Sequence, residues 1–218
     1  MSTTRSPYPI PSAEVRAEIK VANSRFIASL APALSVDEAR VFIAKIKDEF
    51  SDASHNVPVF LIGHGDSVTA HCSDAGEPSG TAGRPALAVL QGSGLGDVVV
   101  VVTRYFGGTK LGTGGLVRAY SDSVRAVLEK VDRSARVMTD TVMVAFPYTY
   151  LERVRRIAAD CDGTILDEDF AADVTVTARF RVEDTPAFQA QIVELTAGSV
   201  HAEVMQSEKL LMPWRDLK

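Results

Sequence analysis

The chain has 218 residues, 46% apolar and 23% charged, which suits a folded globular protein and is too apolar for a disordered one. Its formal charge of −5 is unevenly placed: residues 1–133 carry 14 basic and 14 acidic side chains, whereas residues 134–218 carry 9 and 14. That distribution excludes a general basic face for non-specific nucleic-acid binding and leaves room only for a local basic site. No run of about 20 apolar residues occurs, so no membrane-spanning helix is predicted. The N-terminus has no basic region followed by an apolar core, and Cys72 and Cys161 cannot build a disulfide framework. A cytoplasmic protein is expected, with no membrane partner.

Met1 to Ser12, rich in Ser, Thr and Pro, is expected to be disordered. Val15 to Ile27 alternates at Val15, Ala17, Ile19 and Val21 and predicts one strand. Ser35 and Glu38 form a capping box ahead of a helix that buries Ala39, Phe42, Ile43, Ile46 and Phe50. Val57 to Ile62 predicts a strand, turned at 63–66 into a second one at about 67–72. A loop follows from Ser73 to Thr81, then a short helix from Ala82 to Gln91 with Pro85 in its first turn. Val98 to Val102, five valines in succession, predicts a strand buried on both faces. A second loop, Tyr105 to Gly112, leads into a helix from about Thr113 to Val131. From residue 134 the grammar restarts: a strand at 137–146, a helix at 148–160, strands at 163–170 and 173–182, a helix from 184 to near 198, and a strand at 200–211. That βαββαβ order predicts a ferredoxin-like domain, so two α+β domains are expected, over 1–133 and 134–218.

The two loops concentrate the polar and glycine residues. In the first, Asp74, Glu77, Pro78, Ser79, Gly80, Thr81 and Arg84 sit on a backbone shaped by Gly and Pro. Thr81 as a plain helix cap is an alternative of comparable weight. In the second, Arg104, Tyr105, Gly107, Gly108, Lys110, Gly112, Gly114, Gly115 and Arg118 surround a helix N-terminus, which attracts anions through its unpaired N–H groups. Close helix–sheet packing at Gly114 and Gly115 is the competing explanation. Thr113 stands where a P-loop needs Lys, and Val117 where a dinucleotide fingerprint needs Gly, so both motifs are excluded. His71 and Cys72, as strand neighbours, point to opposite faces, and His64 lies in a turn, so no metal site is expected. No nucleophile elbow accompanies Ser73 or Ser79, and no catalytic residue or cofactor is assigned.

The stretch from Ser73 to Pro85, then Val100-Val101-Val102-Thr103-Arg104-Tyr105-Phe106-Gly107-Gly108 and Leu111-Gly112-x-Gly114-Gly115-Leu116-Val117-Arg118-Ala119-Tyr120, closely resembles the Impact family, also called YigZ-like. Ser24-Arg25-Phe26-Ile27 and His55-Asn56 also match family positions. The resemblance implies a first domain like the second domain of ribosomal protein S5. It implies a second, ferredoxin-like domain similar to the last domain of elongation factor G. Eukaryotic relatives regulate translation by binding the activator of a stress-responsive initiation-factor kinase. Ala75 departs from the family, which usually carries a second acid there, and this weakens any paired-carboxylate metal site.

Two functions follow as expectations, beside a third reading as a scaffold that self-associates through the ferredoxin-like sheet. One is a non-enzymatic binding module acting on translation, with a translation-associated protein or structured RNA as partner. The other is a small-molecule hydrolase or phosphate-handling enzyme at the same loops, with Asp74 and Glu77 as an acid/base pair.

Overall fold

The computed structural model describes residues 7–65 and 67–214, which form two compact units, one of residues 136–211 and the other of the described residues before and after them. Mixed helices and strands in each unit make the protein α+β. Among the described residues, no helix is long and apolar enough to cross a membrane.

In the first unit, five strands form an antiparallel sheet in the order β2 (Val15–Val21), β3 (Ser24–Pro32), β6 (Val98–Tyr105), β4 (His55–Ile62) and β5 (Thr69–Cys72). The valine run occupies the central strand, and its alternation divides the core in two. Val98, Val100 and Val102 pack with α2 (Gly83–Gly92) and α3 (Gly112–Leu128), through Ala86, Leu90, Leu116 and Val124. Val99 and Val101 pack with α1 (Val36–Glu49), through Ala39, Phe42 and Ile46. Because all five valines are fully buried, each contributes about 1.5–3 kcal/mol of apolar burial.

The N-terminus of α1 is built as the capping box requires, with one variation. Ser35 Oγ accepts from the Glu38 N–H, but the Glu38 carboxylate accepts from the Leu34 N–H, one residue before the cap.

Two sequence expectations are corrected here. The single strand over 15–27 is a hairpin of β2 and β3, turned at Ala22 and Asn23 with φ of 43° and 69°. A left-handed turn usually advertises itself with glycine, and Ala22 gives no such signal. Residues 7–12 are placed by specific bonds rather than disordered; residues 1–6 of that expected tail lie outside the described residues. β1 (Ile10–Pro11) pairs with Arg133 and Ser134, and the Pro9 carbonyl accepts from the Gly96 N–H. The turn expected at 63–66 includes residue 66, also outside the described residues.

The second unit follows the βαββαβ order: β7 (Arg133–Phe146), which begins in the first unit, α4 (Leu151–Asp160), β8 (Thr164–Phe170), β9 (Val174–Arg181), α5 (Thr185–Leu195) and β10 (Glu203–Pro213). A 3-10 turn at Tyr148–Tyr150 leads into α4. β9 lies between β7 and β8, and β10 pairs with β7, the strand order of a ferredoxin-like sheet. Val142, Val144, Phe146, Val174, Val176 and Phe180 form its core with Val154, Phe188 and Ile192 of the helices.

Gly107 marks the closest approach between the hairpin turn and the second loop, since a Cβ there would stand 2.0 Å from the Asn23 carbonyl oxygen. Gly107→Ala is expected to cost about 1–3 kcal/mol through overpacking. The loss should appear as a Tm lowered by about 2–12 °C in a circular-dichroism melt.

Candidate functional site

The first loop, between β5 and α2, is held from inside. The Asp74 carboxylate accepts from three backbone N–H groups: Gly80 at 2.8 Å, Ala82 at 3.1 Å and Gly83 at 2.8 Å. Asp74 therefore caps α2 from nine residues upstream of Gly83, while the residue at the cap position, Ala82, offers no side-chain bond. Thr81 is not the cap; its hydroxyl donates to the Pro78 carbonyl at 2.7 Å. Burial pushes the Asp74 carboxyl up, but the three N–H donors and the nearby Arg84 outweigh it and hold it below the usual carboxylate range.

Glu77 points inward. Its side chain is 3% exposed and meets that of Arg104, 6% exposed, with Nη1 donating to Oε1 at 2.6 Å. The Tyr120 hydroxyl of α3 donates to the same oxygen at 2.7 Å. Burial and this bond push the Tyr120 phenol far above its ordinary range, so it remains a donor. His55 Nε2 stands 3.8 Å from the other carboxylate oxygen, and its Nδ1 donates to the Ala75 carbonyl at 2.9 Å. A carbonyl can only accept, so Nδ1 carries a proton. The Arg104 guanidinium also lies near the Phe26 and Phe106 rings, 5.4 and 5.6 Å from their centroids.

Strand register explains why these groups meet. Arg104 pairs across β6 with Phe26 on β3 and with His55 on β4. Ser24 ties the second loop to the same cluster: its Oγ accepts from the Gly107 N–H at 3.2 Å and from Arg104 Nη2 at 3.4 Å. Tyr105, the last residue of β6, donates its hydroxyl to Asp52 at 2.7 Å on the outer edge.

The structure thus sorts the sequence candidates. Asp74, Glu77, Thr81 and Arg104 hold the loops, and the Pro78 carbonyl and Gly107 backbone serve the same end. Ser79, Arg84, Gly108, Lys110, Gly112, Gly114 and Arg118 form the exposed remainder, with Gly80 half-buried beside them. Arg84, Lys110 and Arg118 make no ion pair among the described residues, although Arg84 acts on Asp74 through space. Gly80, Gly108 and Gly112 adopt φ of 77°, 86° and 68°. Close helix–sheet packing is not the reason for the glycines of α3. Nothing lies within 4 Å of a Cβ built at Gly114, and at Gly115 the contact is Leu111 of the same loop, at 3.1 Å. The first turn of α3 contains no acidic residue and no side-chain cap, and Gly112, Thr113 and Gly114 at its start are exposed.

An acid/base pair of Asp74 and Glu77 has no geometric support, because both carboxylates are engaged by loop, strand and helix donors. Among the described residues, no group of three or more His, Cys, Asp or Glu side chains could hold a metal ion. His55, Ser24 and Tyr120 belong to the cluster and were not among the candidate ligands. All three stand in the stretches that resemble the family, and the fold shows what they do there, around Glu77 and Arg104.

Comparison with known proteins decides the family. The Impact N-terminal domain matches residues 22–128, and a domain of unknown function, DUF1949, matches residues 144–199. The chain is 35% identical to the Impact family member YigZ of Escherichia coli K12, over 88% of this chain and 94% of that protein. The protein belongs to the Impact family. It is also 37% identical to YvyE of Bacillus subtilis 168, another Impact family member, over 83% of each chain. A crystal structure of a hypothetical protein superposes with a TM-score of 0.60 at 33% identity, covering 93% of this chain and 98% of the other. The glycine and polar loops both fall within the part matched by the Impact N-terminal domain.

Arg104→Ala leaves Glu77 buried without its cation, which costs about 3–5 kcal/mol. A Tm lower by about 6–20 °C is expected. Asp74 contributes through a depressed pKa, so its stabilisation is present above the unfolded value of about 3.9 and is lost as pH falls through the folded value. Asp74→Asn should therefore be less stable than wild type at neutral pH, with the gap closing below about pH 4 in urea melts taken across pH.

Proposed function

We propose that this member of the Impact family is a non-enzymatic binding module acting on translation, and that its loop surface from Ser79 to Arg118 receives a translation-associated protein or structured RNA. One observation carries the reading. The loop groups able to do chemistry are fastened to one another, while Arg84, Lys110, Arg118 and the open N-terminus of α3 are presented to solvent. Such a surface favours phosphate or carboxylate groups over the handling of a reacting bond. The family resemblance supports the translation-linked setting. The domain assignment belongs to the same proposal: an S5-like binding domain over 1–133, and over 134–218 a domain similar to the last domain of elongation factor G.

Arg104 is unsuitable for testing this surface, because its loss would loosen the fold. Lys110→Glu combined with Arg118→Glu leaves the buried cluster untouched. The double variant is expected to lower co-sedimentation with ribosomes at low salt by about tenfold, and to flatten its salt dependence. Gly114→Ala is a sharper probe, since alanine in a helix is about 0.5–1 kcal/mol better than glycine. It should raise the Tm by about 1–4 °C while weakening the same binding. Unchanged co-sedimentation of both variants would overturn the proposal.

A further inference from the structure

α2 and α3 lie side by side on one face of the first unit's sheet, and an open groove of about 800 Å³ runs between them. Its lining on α3 is Val117, Ser121, Arg125 and Leu128, spaced by four, four and three, one continuous helix stripe. On α2 the lining is Pro85, Ala88, Val89 and Gly92, spaced by three, one and three, a second such stripe. The fully buried positions of the two helices are mostly others, Ala86 and Leu90 on one and Leu116, Tyr120, Val124 and Val127 on the other, although Ser121 is buried and Val89 and Leu128 pack partly against the core. Ala88 and Val117 are exposed and lie outside the core cluster, so these two apolar positions along the groove are an addition to what the fold needs.

Charge around the groove is one-sided. None of its lining residues is acidic, and Arg84 and Arg125 line it directly. Arg118 stands two turns before Arg125 on α3, and Arg133 donates to the carbonyl of Ser93 at the far end. The acids beside it are already engaged: Asp122 is paired with Arg125 at 2.6 Å, and Asp74 accepts from the N–H groups at the start of α2. Small residues, Ala88, Gly92 and Ser121, let a second backbone approach closely. From Val117 to Leu128 the stripe spans about 16 Å, the length of three helical turns.

We infer that this groove is the docking site for an acidic amphipathic helix of a partner protein, lying between α2 and α3. Its apolar side would cover Ala88, Val89, Val117 and Leu128, and its carboxylates would meet Arg84 and Arg125. RNA suits the groove less well: single-stranded bases need aromatic platforms, and no aromatic residue lines it, whereas a phosphate backbone has no use for an apolar floor. Helix-in-groove docking uses both features together. The inference rests on the binding-module reading above and names the class of its partner.

The test uses the full chain and a fluorescein-labelled synthetic helix of about 16 residues, a little over four turns, with leucines on one face and glutamates on the other. A counterpart carries lysines in place of the glutamates, and a third arm uses an RNA hairpin of mixed sequence. Fluorescence anisotropy should show saturable binding of the glutamate peptide, at least tenfold tighter than the lysine peptide. Ala88→Trp fills an exposed position of the groove and should weaken binding at least tenfold, with an unchanged circular-dichroism melt. Arg84→Glu with Arg125→Glu should do the same and shift preference toward the lysine peptide. Three outcomes would overturn the inference: no saturable peptide binding, equal affinity for both peptides, or RNA binding that Ala88→Trp abolishes. Failure here with ribosome co-sedimentation intact removes the groove alone. Loss of the ribosome result with peptide binding intact removes the translation setting and leaves the groove.

Discussion

The ion pair between Glu77 and Arg104 joins a loop without regular structure to the central strand of a sheet. Removing two charges from water carries a penalty of several kcal/mol for each, which a single contact does not repay. Here the compensation is distributed. Tyr120 donates to the carboxylate from α3, Ser24 accepts from the guanidinium, and two aromatic rings flank the cation. The partners come from several elements, so the charges are tolerated only when the hairpin, the central strand, the loop and α3 are assembled together. The pair acts as a condition that the folded arrangement must meet, more than as a source of net stability.

That condition shapes the surface above it. With Glu77 drawn inward, the preceding Asp74 is set under the start of α2 and satisfies three of its N–H groups. α2 is thereby aimed alongside α3, and the groove between them follows. The second loop is fixed from below as well, through the Gly107 N–H on Ser24 and the Phe106 N–H on Ser54. What remains outward is a rigid frame of backbone and basic side chains, suited to holding a partner in place.

Local features were readable without the fold. Ser35 and Glu38 announced the start of α1, and the valine run announced a strand covered on both faces, because each signal is complete within a few residues. The βαββαβ order of residues 134–218 was legible for the same reason. The hairpin at Ala22 and Asn23 was not, since neither residue carries the glycine signal of a left-handed turn. Residues 7–12 looked disordered by composition, yet Tyr8 donates to Asp97, 89 residues away, and Ser12 to the carbonyl of Asp132. Composition weighs what a segment is made of and is blind to a distant acceptor.

The stretch from Ser73 to Tyr120 was marked out by sequence alone, because its glycines, prolines and charges depart sharply from the apolar periodicity on either side. Its resemblance to the Impact family was equally a property of the linear order of residues. The role of each residue within it was decided only by tertiary structure. Glu77 and Arg104, separated by 27 positions, read as candidate site residues of two loops in sequence and are buried against each other in the fold. Asp74 read as a candidate acid and is a remote helix cap, while Lys110 and Arg118, no different in sequence from Arg104, are left at the surface. The physical reason is that burial and pairing depend on strand register and helix placement, and these are set by contacts among elements far apart in the chain.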